Sequence, residues 1–432
     1  MARAKKEAAL TPEERLQAAL VPDWEWPYKL PKNWCWTYFK SISTIQTGKK
    51  DANYGSDEGK YPFFTCAAEP IRCHGYSFDC RAILLAGNGD INNISRYNGK
   101  FEAYQRTYVV KIAEPLCFDY IFYWFKYRWF DFNKGKMFGT AIPYIRLGNL
   151  QKFPTPIPPL AEQQRIVDRI ESLFAKLDEA KEKAQAVVDS FETRKAAILH
   201  KAFTGELTKK WRKSANTRWV YKKIKDCCKL GSGGTPSRKV PDFYKGDIPW
   251  IKTGEIEWND IYDTEEKITQ SAIDNSSARC YKPGVVLVAM YGMGVTRGKA
   301  SILRVQAATN QAVCVLEPQS ALLYNRYLLY YFMRNYWDIR EKAVGGNQLN
   351  LSLTIIKELN IEIPPIDEQV EIVQILDDLF AKEQQTKEAA EAVLEQIDLM
   401  KKSILARAFR GELGTNDPSE ESAVELLKRT IL

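Results

Sequence analysis

Apolar residues recur at helical spacing in two separate stretches of the chain. In each stretch they step by four and three positions in alternation, which is the heptad spacing of helices that pack along a seam. A helix of about 40 residues would be a rod of roughly 60 Å. The first seam comprises Ile166, Ile170, Leu173, Leu177, Ala180, Ala184, Val187, Phe191, Arg194 and Ile198, and the second comprises Ile372, Leu376, Leu379, Glu383, Thr386, Ala390, Val393, Ile397, Met400 and Ile404.

Proline and glycine mark the ends of both predicted helices. Pro158-Pro159 and Pro364-Pro365 precede the seams, and the residue before a proline avoids helical geometry. Asp367 could cap the second helix. Gly205 and Gly411 follow the seams and suit the turn after a helix.

The two stretches are copies of one sequence. "IPPLAEQQRIV" at 157–167 recurs as "IPPIDEQVEIV" at 363–373, and an ungapped alignment of 157–207 with 363–413 has nearly half of its positions identical. Such self-similarity indicates an internal duplication. The direct partner for each helix is its own duplicate, in an antiparallel coiled coil with a pseudo-twofold axis. Two alternatives stay open, namely that the seams are the core of another element or that Arg194, Glu383 and Thr386 face another protein.

Each repeat begins with a variable block that reads as β-rich. Short apolar runs such as "RAILLAG", "TYVVKIA", "GVVLVAMYG" and "QAVCVLEP" are separated by Gly, Asn and Pro, with the helical stretches "FDYIFYWFKYRWF" and "LYNRYLLYYFMRN" late in the blocks. We therefore predict an α+β fold of two mixed β-rich domains joined by the paired helices. The predicted divisions are an N-terminal helical segment 1–30, a first domain 31–156, a central helical region 157–212, a second domain 213–363, a distal helical region 364–414 and a tail 415–432.

The composition favours a globular protein without a membrane span or disulfide bonds. The 432 residues are 45% hydrophobic and 12% aromatic, and no window approaches the ~20 uncharged apolar residues of a bilayer span. The N-terminus is charged and lacks the apolar core of a signal peptide. Nine scattered cysteines, an odd number, suit reduced thiols. We expect a cytoplasmic protein without a membrane partner.

Positive charge is unevenly distributed along the chain. The formal net charge is +8, and the excess of Lys and Arg lies in the variable blocks 31–156 and 208–362, whereas 363–413 is net acidic. Basic, aromatic-rich blocks are typical of surfaces that bind nucleic acid, although a solvated surface also accounts for a few charges.

Basic and amide residues gather in the predicted turns of both blocks. Arg and Lys can read guanine edges, Asn and Gln can read adenine edges, and Gly-rich turns suit phosphates, although ordinary solvated turns contain the same residues. The candidate DNA-binding residues are Lys49, Lys50, Asn88, Asn92, Asn93, Arg96, Lys100, Thr235, Ser237, Arg238, Lys239, Tyr291, Arg297, Lys299, Asn347 and Gln348.

No catalytic or metal site is predicted. The Pro-Pro pairs lack the polar and aromatic neighbours of an amino-methyltransferase loop, and the glycine patterns "LLAGNGD" and "YGMGVTRG" are weak cofactor signals. Asp242, Glu255 and Glu257 lack the acid-x-lysine ending of a nuclease. Cys66, Cys73, His74 and Cys80 lack the paired spacing of a zinc site, and His200 becomes Ala406 in the duplicate.

The repeated "PIPPLAEQQRIV", "LFAKLDEAKEKA" and "ILHKAFTGEL" around two variable blocks resemble the specificity subunit of type I restriction-modification systems. In the second block "GSGGTPSRKVPDFYKGDIPWIKTGEI", "YKPGVVLVAMYGMG" and "GGNQLNLSLTIIKELNIEIPP" look like a target-recognition domain of that family. The N-terminal segment, with the helix start Thr11-Pro12-Glu13-Glu14, is also similar. The first block departs from the pattern, with "AIPYIR" where the second has "NQLNLS".

The resemblance implies a protein that is not itself an enzyme. Each domain would read half of a bipartite, asymmetric site on double-stranded DNA, with the helices setting the spacing at about one turn of DNA. Two DNA methyltransferase subunits and restriction/translocase subunits would be partners, and S-adenosylmethionine, ATP and Mg²⁺ would bind to them. The expected helix or partner interface comprises Glu162, Gln163, Leu173, Phe174, Glu368, Gln369, Leu379 and Phe380; the Glu-Gln pairs either stabilise their own helices or face a partner. The alternatives are a recognition subunit of a related restriction or anti-phage system and a coiled-coil scaffold that binds proteins.

Overall fold

The structure is a computed structural model that describes residues 11–215, 218–292, 294–345 and 349–431. The chain divides into two compact units. Unit 1 combines Met1–Ala184 with Ala392–Leu432, and unit 2 comprises Gln185–Glu391. Each unit thus contains one variable block and helical residues from both repeats.

Unit 1 has a β-rich centre with helices before and after it. Its helices are α1 Pro12–Ala19, α2 Phe118–Asn133, α3 Leu147–Gln151, most of α4 Leu160–Asp189, the end of α12 Ile366–Ala408, and α13 Ala423–Ile431, with 3₁₀ turns at Asp23–Glu25, Phe39–Ser41 and Ala52–Tyr54. Its strands are β1 Cys35–Tyr38, β2 Ser43–Thr47, β3 Tyr61–Phe64, β4 Ile71–Cys73, β5 Phe78–Ala86, β6 Ile94–Ala103, β7 Thr107–Ile112 and β8 Pro154–Ile157.

A six-stranded sheet forms the centre of unit 1. The strand order is β2-β7-β5-β6-β3-β4, and β3 with β6 is the parallel pair. Strands β1 and β8 form a separate antiparallel pair. Helix α2 packs aromatic residues against the residue that follows α12, since the ring centroids of Trp124 and Phe409 are 5.0 Å apart. Residues from both ends of the chain therefore share one core.

Unit 2 repeats this arrangement with shorter strands. Its helices are α5 Phe191–Phe203, α6 Lys209–Ala215, α7 Ile224–Cys227, α8 Gln270–Asp274, α9 Asn325–Arg334, α10 Tyr336–Glu341, α11 Leu353–Lys357 and most of α12, with 3₁₀ turns at Pro241–Tyr244 and Thr253–Glu255. Its strands are β9 Val220–Lys223, β10 Cys228–Ser232, β11 Ile248–Ile251, β12 Asp260–Ile261, β13 Lys267–Ile268, β14 Cys280–Tyr281, β15 Val286–Ala289, β16 Ala300–Leu303, β17 Ala307–Thr309, β18 Val313–Pro318 and β19 Asn360–Ile363.

Unit 2 has two sheets and a strand pair where unit 1 has one six-stranded sheet and a strand pair. One sheet has the order β10-β18-β15-β16-β12 and another has the order β13-β11-β17-β14, while β9 pairs with β19 as β1 pairs with β8. The predicted strand runs lie in β5, β7, β15 and β18, and the predicted helical stretches form α2 and α9. The alternation of apolar runs with turn residues was therefore a reliable signal here.

The two helical regions start and end where the Pro-Pro pairs and the glycines predict. Helices α4 and α12 begin directly after the Pro-Pro pairs, so Asp367 lies in the first turn of α12 rather than at its cap. Gly205 and Gly411 follow their helices with φ of +74° and +71°, a left-handed conformation that favours glycine. Thr11 caps α1, accepting from the Glu14 amide at 3.2 Å.

The helical segments contact each other within both units. In unit 1 the Lys181 ammonium lies 3.2 Å from an Asp398 carboxylate oxygen, and Lys401 is paired with Asp178. In unit 2 the Arg194 Nε lies 2.7 Å from a Glu383 carboxylate oxygen. In unit 2 Lys387 also lies over the Phe191 ring and Lys195 over the Phe380 ring. Residue numbers rise in one helix as they fall in the other, so the contacting segments run antiparallel in each unit.

The second seam differs from the prediction along about the last half of α12. Thr386, Val393 and Met400 were assigned to the seam, but Thr386 is exposed, and Val393 and Met400 are 45% and 50% exposed. Lys387 and Lys401 lie on the contact side instead, each over a phenylalanine ring. An α-helix with 3.6 residues per turn drifts away from a strict seven-residue repeat, and one additional step of four accommodates that drift.

The first predicted helix is divided at Ser190 into α4 and α5. The Ser190 hydroxyl donates to the Ala186 carbonyl at 2.6 Å, and the Arg194 guanidinium donates to the Val187 carbonyl at 3.1 Å. Side chains that take over helix carbonyls in this way bend or interrupt a helix. The duplicate α12 runs uninterrupted for 43 residues.

Candidate nucleic-acid interface

The loops at one end of the unit 1 sheet are joined by backbone contacts. The Gly48 amide donates to the Thr107 carbonyl at 3.2 Å, and the Gly87 amide donates to the Arg106 carbonyl at 2.8 Å. A Cβ on Gly48 would lie 1.9 Å from the Ala103 carbonyl oxygen, so this approach requires glycine. We name this surface the unit 1 loop end and define it as Gly48–Lys50, Gly87–Asn93, Tyr104–Thr107 and Phe138–Arg146.

Five predicted residues lie at the unit 1 loop end, namely Lys49, Lys50, Asn88, Asn92 and Asn93. Lys49 is exposed and borders a groove of about 630 Å³. The Lys50 ammonium lies 4.5 Å from the centre of the Tyr54 ring. These positions give the loop end positive charge that a phosphate backbone could contact.

The asparagines of this loop end have structural contacts as well. The Asn93 side-chain amide donates to the Cys66 carbonyl at 2.9 Å, and the Asn92 backbone amide donates to Asp90 Oδ1 at 2.9 Å. Asn88 forms a β-bridge with Tyr144. Asn93 therefore shapes the loop, and among the three asparagines Asn88 is the better candidate for a base contact.

The sequence predicted Arg96 and Lys100 in turns, and this prediction is wrong because both residues lie in strand β6. Arg96 is paired with Asp119 and lies 4.8 Å from the Phe122 ring of α2. The Lys100 ammonium lies 4.8 Å from the Tyr76 ring, and its hydrogen bond to that tyrosine raises the pKa of the lysine. Neither residue belongs to the loop end.

A hairpin at the unit 1 loop end was missed in the sequence. Phe138 and Tyr144 exchange backbone hydrogen bonds of 2.9 and 2.8 Å, and the turn between them carries Ile142, which is 61% exposed. The Arg146 guanidinium lies 3.9 Å from the Phe138 ring. The "AIPYIR" segment, in which the first block departs from the second, thus forms part of a projecting hairpin.

Gln105 and Arg106 were also missed. They line a depression of about 300 Å³ that shares Thr47 and Tyr108 with the larger groove. Their signal was present in the sequence, because a polar "YQR" between two apolar strand runs marks the turn that connects them.

The corresponding loops of unit 2 meet in the same way. A Cβ on Gly233 would lie 1.7 Å from the Thr309 carbonyl oxygen, and the Gly234 amide donates to that carbonyl at 2.9 Å. The Leu351 amide donates to the Met290 carbonyl at 3.0 Å. We name this surface the unit 2 loop end and define it by the described residues of Gly233–Lys239, Met290–Arg297, Thr309–Ala312 and Val344–Leu351.

Most candidates of the second block lie at the unit 2 loop end. Ser237 and Lys239 are exposed, Tyr291 is 42% exposed, and the Thr235 hydroxyl is bonded to Gln311. Arg297 donates to the Leu349 carbonyl. Asn347 and Gln348 lie outside the described residues.

Two basic candidates in unit 2 form ion pairs with carboxylates. Arg238 Nη2 lies 2.7 Å from Glu266, and its guanidinium lies 4.0 Å from the Tyr244 ring. Hydrogen bonds from Lys252, and then from Arg238, lower the pKa of Glu266. Lys299 is paired with Glu257, and its side chain is only 12% exposed. Both cations hold loops in place, and a DNA contact would have to compete with these pairs.

The Glu-Gln pairs at the helix starts make contacts inside their own units. Gln163 Oε1 accepts from the Cys117 amide at 2.8 Å, and Gln369 Oε1 accepts from the Tyr324 amide at 2.8 Å. Glu162 accepts from the Thr415 hydroxyl at 2.7 Å, and burial raises the pKa of this carboxyl. All four side chains, including Glu368, are fully buried inside their units. Beyond the Pro158 and Pro364 carbonyls next to their own helices, the glutamines bond to residues that are distant in sequence.

The predicted apolar interface residues Leu173, Phe174, Leu379 and Phe380 are all half-buried. Phe174 contacts Tyr123 with ring centroids 6.0 Å apart, and Phe380 contacts Tyr330 at 5.6 Å. The same tyrosine–phenylalanine contact thus recurs in both units, between α2 and α4 in unit 1 and between α9 and α12 in unit 2.

The cysteine and carboxylate clusters do not assemble into a metal site. All nine cysteines are free thiols. Within residues 11–215, 218–292, 294–345 and 349–431, no group of three His, Cys, Asp or Glu side chains is placed to hold a metal ion. Over the same ranges, no helix is both long and apolar enough for a membrane span.

Comparison with known proteins points to one family. The model of the type I restriction modification DNA specificity domain matches residues 31–188 and again 216–396. The type I restriction enzyme EcoDI specificity subunit of Escherichia coli is 27% identical over 398 residues, which cover 85% of this chain and 86% of that protein. The MjaIX specificity subunit of Methanocaldococcus jannaschii is 29% identical over 183 residues, or 40% and 41% of the two chains.

Solved structures share the fold. The HsdS subunit from Thermoanaerobacter tengcongensis aligns with a TM-score of 0.61 and 18% identity, covering 90% of this chain and all (100%) of that one. A chain from a study of complex assembly and conformational transition of the type I R-M system aligns with a TM-score of 0.63, 18% identity and the same coverage.

Proposed function

Because the chain belongs to the family of type I restriction modification DNA specificity proteins, we propose that it selects a duplex DNA sequence through two readers, the unit 1 and unit 2 loop ends. The observation that carries this proposal is their duplication. Both loop ends are built on a glycine whose Cβ position is filled by a backbone carbonyl, at Gly48 and at Gly233, and both present basic and amide side chains.

Each loop end offers two kinds of contact with DNA. Lysines such as Lys49 and Lys239 suit phosphates, which fix register and orientation without reading sequence. Arg106 and Asn88 in unit 1 have the side-chain chemistry that distinguishes guanine and adenine in the major groove. Because the two loop ends differ in sequence, each would read a different half of an asymmetric bipartite site.

The helices α4, α5 and α12 would form an antiparallel coiled coil that spaces the two readers at about one turn of DNA. This proposal is supported by the antiparallel contacts within each unit, including the Arg194–Glu383 pair at 2.7 Å. The spacer can be tested by inserting one heptad into α4 and one into the facing part of α12. Seven residues add about 10 Å of helix, or about three base pairs at 3.4 Å each. An unchanged spacer length in the recognised motif would refute the proposal that the helices set the distance between the two half-sites.

The chemistry would belong to partner subunits. Two DNA methyltransferase subunits with S-adenosylmethionine, and restriction/translocase subunits with ATP and Mg²⁺, would act on the DNA that this chain selects, in the cytoplasm where that DNA is found. The exposed apolar residues Val393, Leu399 and Met400 of α12, which are 45%, 56% and 50% exposed, offer a surface for a methyltransferase subunit. We propose no catalytic role for the chain itself.

The deciding experiment is to map methylated bases across the genome of the host, with the gene present and deleted. Loss of one bipartite motif on deletion is the expected result, and an unchanged methylation pattern would overturn the proposal. Arg106→Gln should relax the half of the motif read by unit 1 only. Lys111→Gln, an exposed lysine of β7 away from the loop end, is the matched control and should leave the motif unchanged.

A further inference from the structure

Unit 1 contains a cleft with an unusual concentration of positive charge. The cleft has a volume of about 910 Å³ and is lined by Lys40, Lys136, Arg146 and Lys152, with the rings of Phe132 and Phe138 between them. We name it the basic cleft. The Lys136 ammonium lies 3.7 Å from the centre of the Phe132 ring, and burial, followed by the charge of Arg128, lowers the pKa of this lysine.

The cations of the basic cleft are not neutralised by acidic side chains. Across the part of the chain that the structure describes, no salt bridge joins any of the four to a carboxylate. One carboxylate, Glu25, lines the cleft, and it accepts a hydrogen bond of 2.8 Å from the Tyr38 hydroxyl. Four cations around one acid repel one another, which favours the binding of an external anion.

The duplicate shows that the fold does not need these charges. Tyr38 pairs with Pro154 in β1–β8, and Lys223 pairs with Asn360 in β9–β19, so Lys152 corresponds to Glu358. Glu358 binds Lys225, the counterpart of Lys40, at 2.7 Å. The corresponding cleft in unit 2, of about 830 Å³, is also lined by Asp338 and Glu341. One repeat therefore neutralises this cleft, and the other leaves it positive.

We propose that the basic cleft binds the sugar-phosphate backbone of duplex DNA beyond the half-site that unit 1 reads. The inference rests on the proposed function, and it assigns a second DNA contact outside the recognised sequence. The cleft is continuous with the unit 1 loop end, because Phe138 and Arg146 belong to both. Lysines contact phosphates without regard to base, so this contact adds affinity and salt dependence but leaves the recognised motif unchanged.

Lys152→Glu is the informative variant, because it copies the residue of the second repeat and can pair with Lys40 as Glu358 pairs with Lys225. The full chain, in complex with its methyltransferase subunits, is titrated with two duplexes that contain the methylated motif. One duplex extends well beyond the unit 1 half-site and the other ends at it. Lys111→Gln and Lys111→Glu are the controls for a change of charge on an exposed lysine of the same unit.

On the long duplex, Lys152→Glu should weaken binding about tenfold and reduce the slope of log affinity against log salt by about 0.9 for each phosphate that the variant no longer neutralises. On the short duplex, variant and parent should bind equally, and the methylated motif should be the same. Equal binding of Lys152→Glu and the parent to the long duplex would overturn the proposal. An altered motif, or an equal loss of affinity in Lys111→Gln or Lys111→Glu, would overturn it as well. Failure of the parent complex to prefer its motif would instead refute the proposed function.

Discussion

Removing the Glu368 carboxylate should destabilise unit 2 selectively. This fully buried side chain accepts from the Thr208 hydroxyl at 2.7 Å, from Arg212 Nε at 3.1 Å and from Trp219 Nε1 at 3.0 Å. Each hydrogen bond to a charged group contributes about 1.5–3 kcal/mol, and breaking a buried ion pair costs about 3–5 kcal/mol. Arg212 is 28% exposed and can be partly rehydrated, so the lower end of that range applies. We expect Glu368→Ala to cost about 3 kcal/mol.

Equilibrium unfolding in urea, followed by tryptophan fluorescence, measures this loss. With a slope of about 2–3 kcal/mol/M, the unit 2 transition should move down by about 1 M urea. The stability of Glu368→Gln should lie between those of Glu368→Ala and the parent, because its amide nitrogen must face at least one of these donors. Gln374→Ala, an exposed position of the same helix, should change stability by less than about 0.5 kcal/mol. If Glu368→Ala matches that control, the carboxylate does not hold unit 2 together.

Three further predictions concern unit 1 and the thiols. Burial raises the pKa of Glu162 above the ordinary ~4.3, so folded unit 1 retains a proton that the unfolded chain releases, and stability should fall as pH rises between the ordinary and the raised pKa. Glu162→Gln should flatten that part of the curve in urea unfolding at a series of pH values; an unchanged slope contradicts the assignment. Burial raises the pKa of Cys35 to about 12, so Cys35 should resist alkylation at pH 8 until the protein is unfolded, as mass spectrometry would show. Ile142→Ser should weaken DNA binding about fivefold, about 1 kcal/mol, without lowering the melting temperature, because the side chain is 61% exposed; equal binding would remove the hairpin from the interface.

The helices and strands were predictable because their signals are local. Pro-Pro before a seam, glycine after it and alternating apolar runs each constrain a few neighbouring residues, and these elements formed as expected. The departure at Val393 and Met400 has a different origin, because seam positions depend on a helix period that drifts over many turns.

The candidate DNA contacts were less predictable than the helices and strands. A charged residue can already be paired with a side chain that is distant in sequence, and such a pair is not visible in the sequence. Arg96 is paired with Asp119, and Lys299 is paired with Glu257, 42 positions away along the chain. Only the fold brings such partners together. The same reason explains why the basic cleft was missed, since its four cations lie in segments that are separated in sequence and meet where β1, β8 and α3 approach each other.

The C-terminal segment was predicted as a tail, but the structure packs it into unit 1. Arg165 Nη2 lies 2.7 Å from Glu420, the Asn33 side-chain amide donates to Asn416 at 3.0 Å, and Leu427 of α13 is fully buried. The amphipathic "AVELLKRTI" was a usable signal for this helix. The partners of this segment were not visible, because Arg165 and Asn33 lie 255 and 383 positions before the residues they bind.

This sharing of unit 1 between distant segments sets an order for folding during synthesis. Unit 2 is one continuous stretch, Gln185–Glu391, and it can fold as soon as that stretch has left the ribosome. Unit 1 has to wait, because Phe409 and α13 complete its core. Unit 2 can therefore be folded on the nascent chain while the incomplete unit 1 still exposes Trp36 and Trp124. Chaperones would be needed most while Ala392–Leu432 is being synthesised.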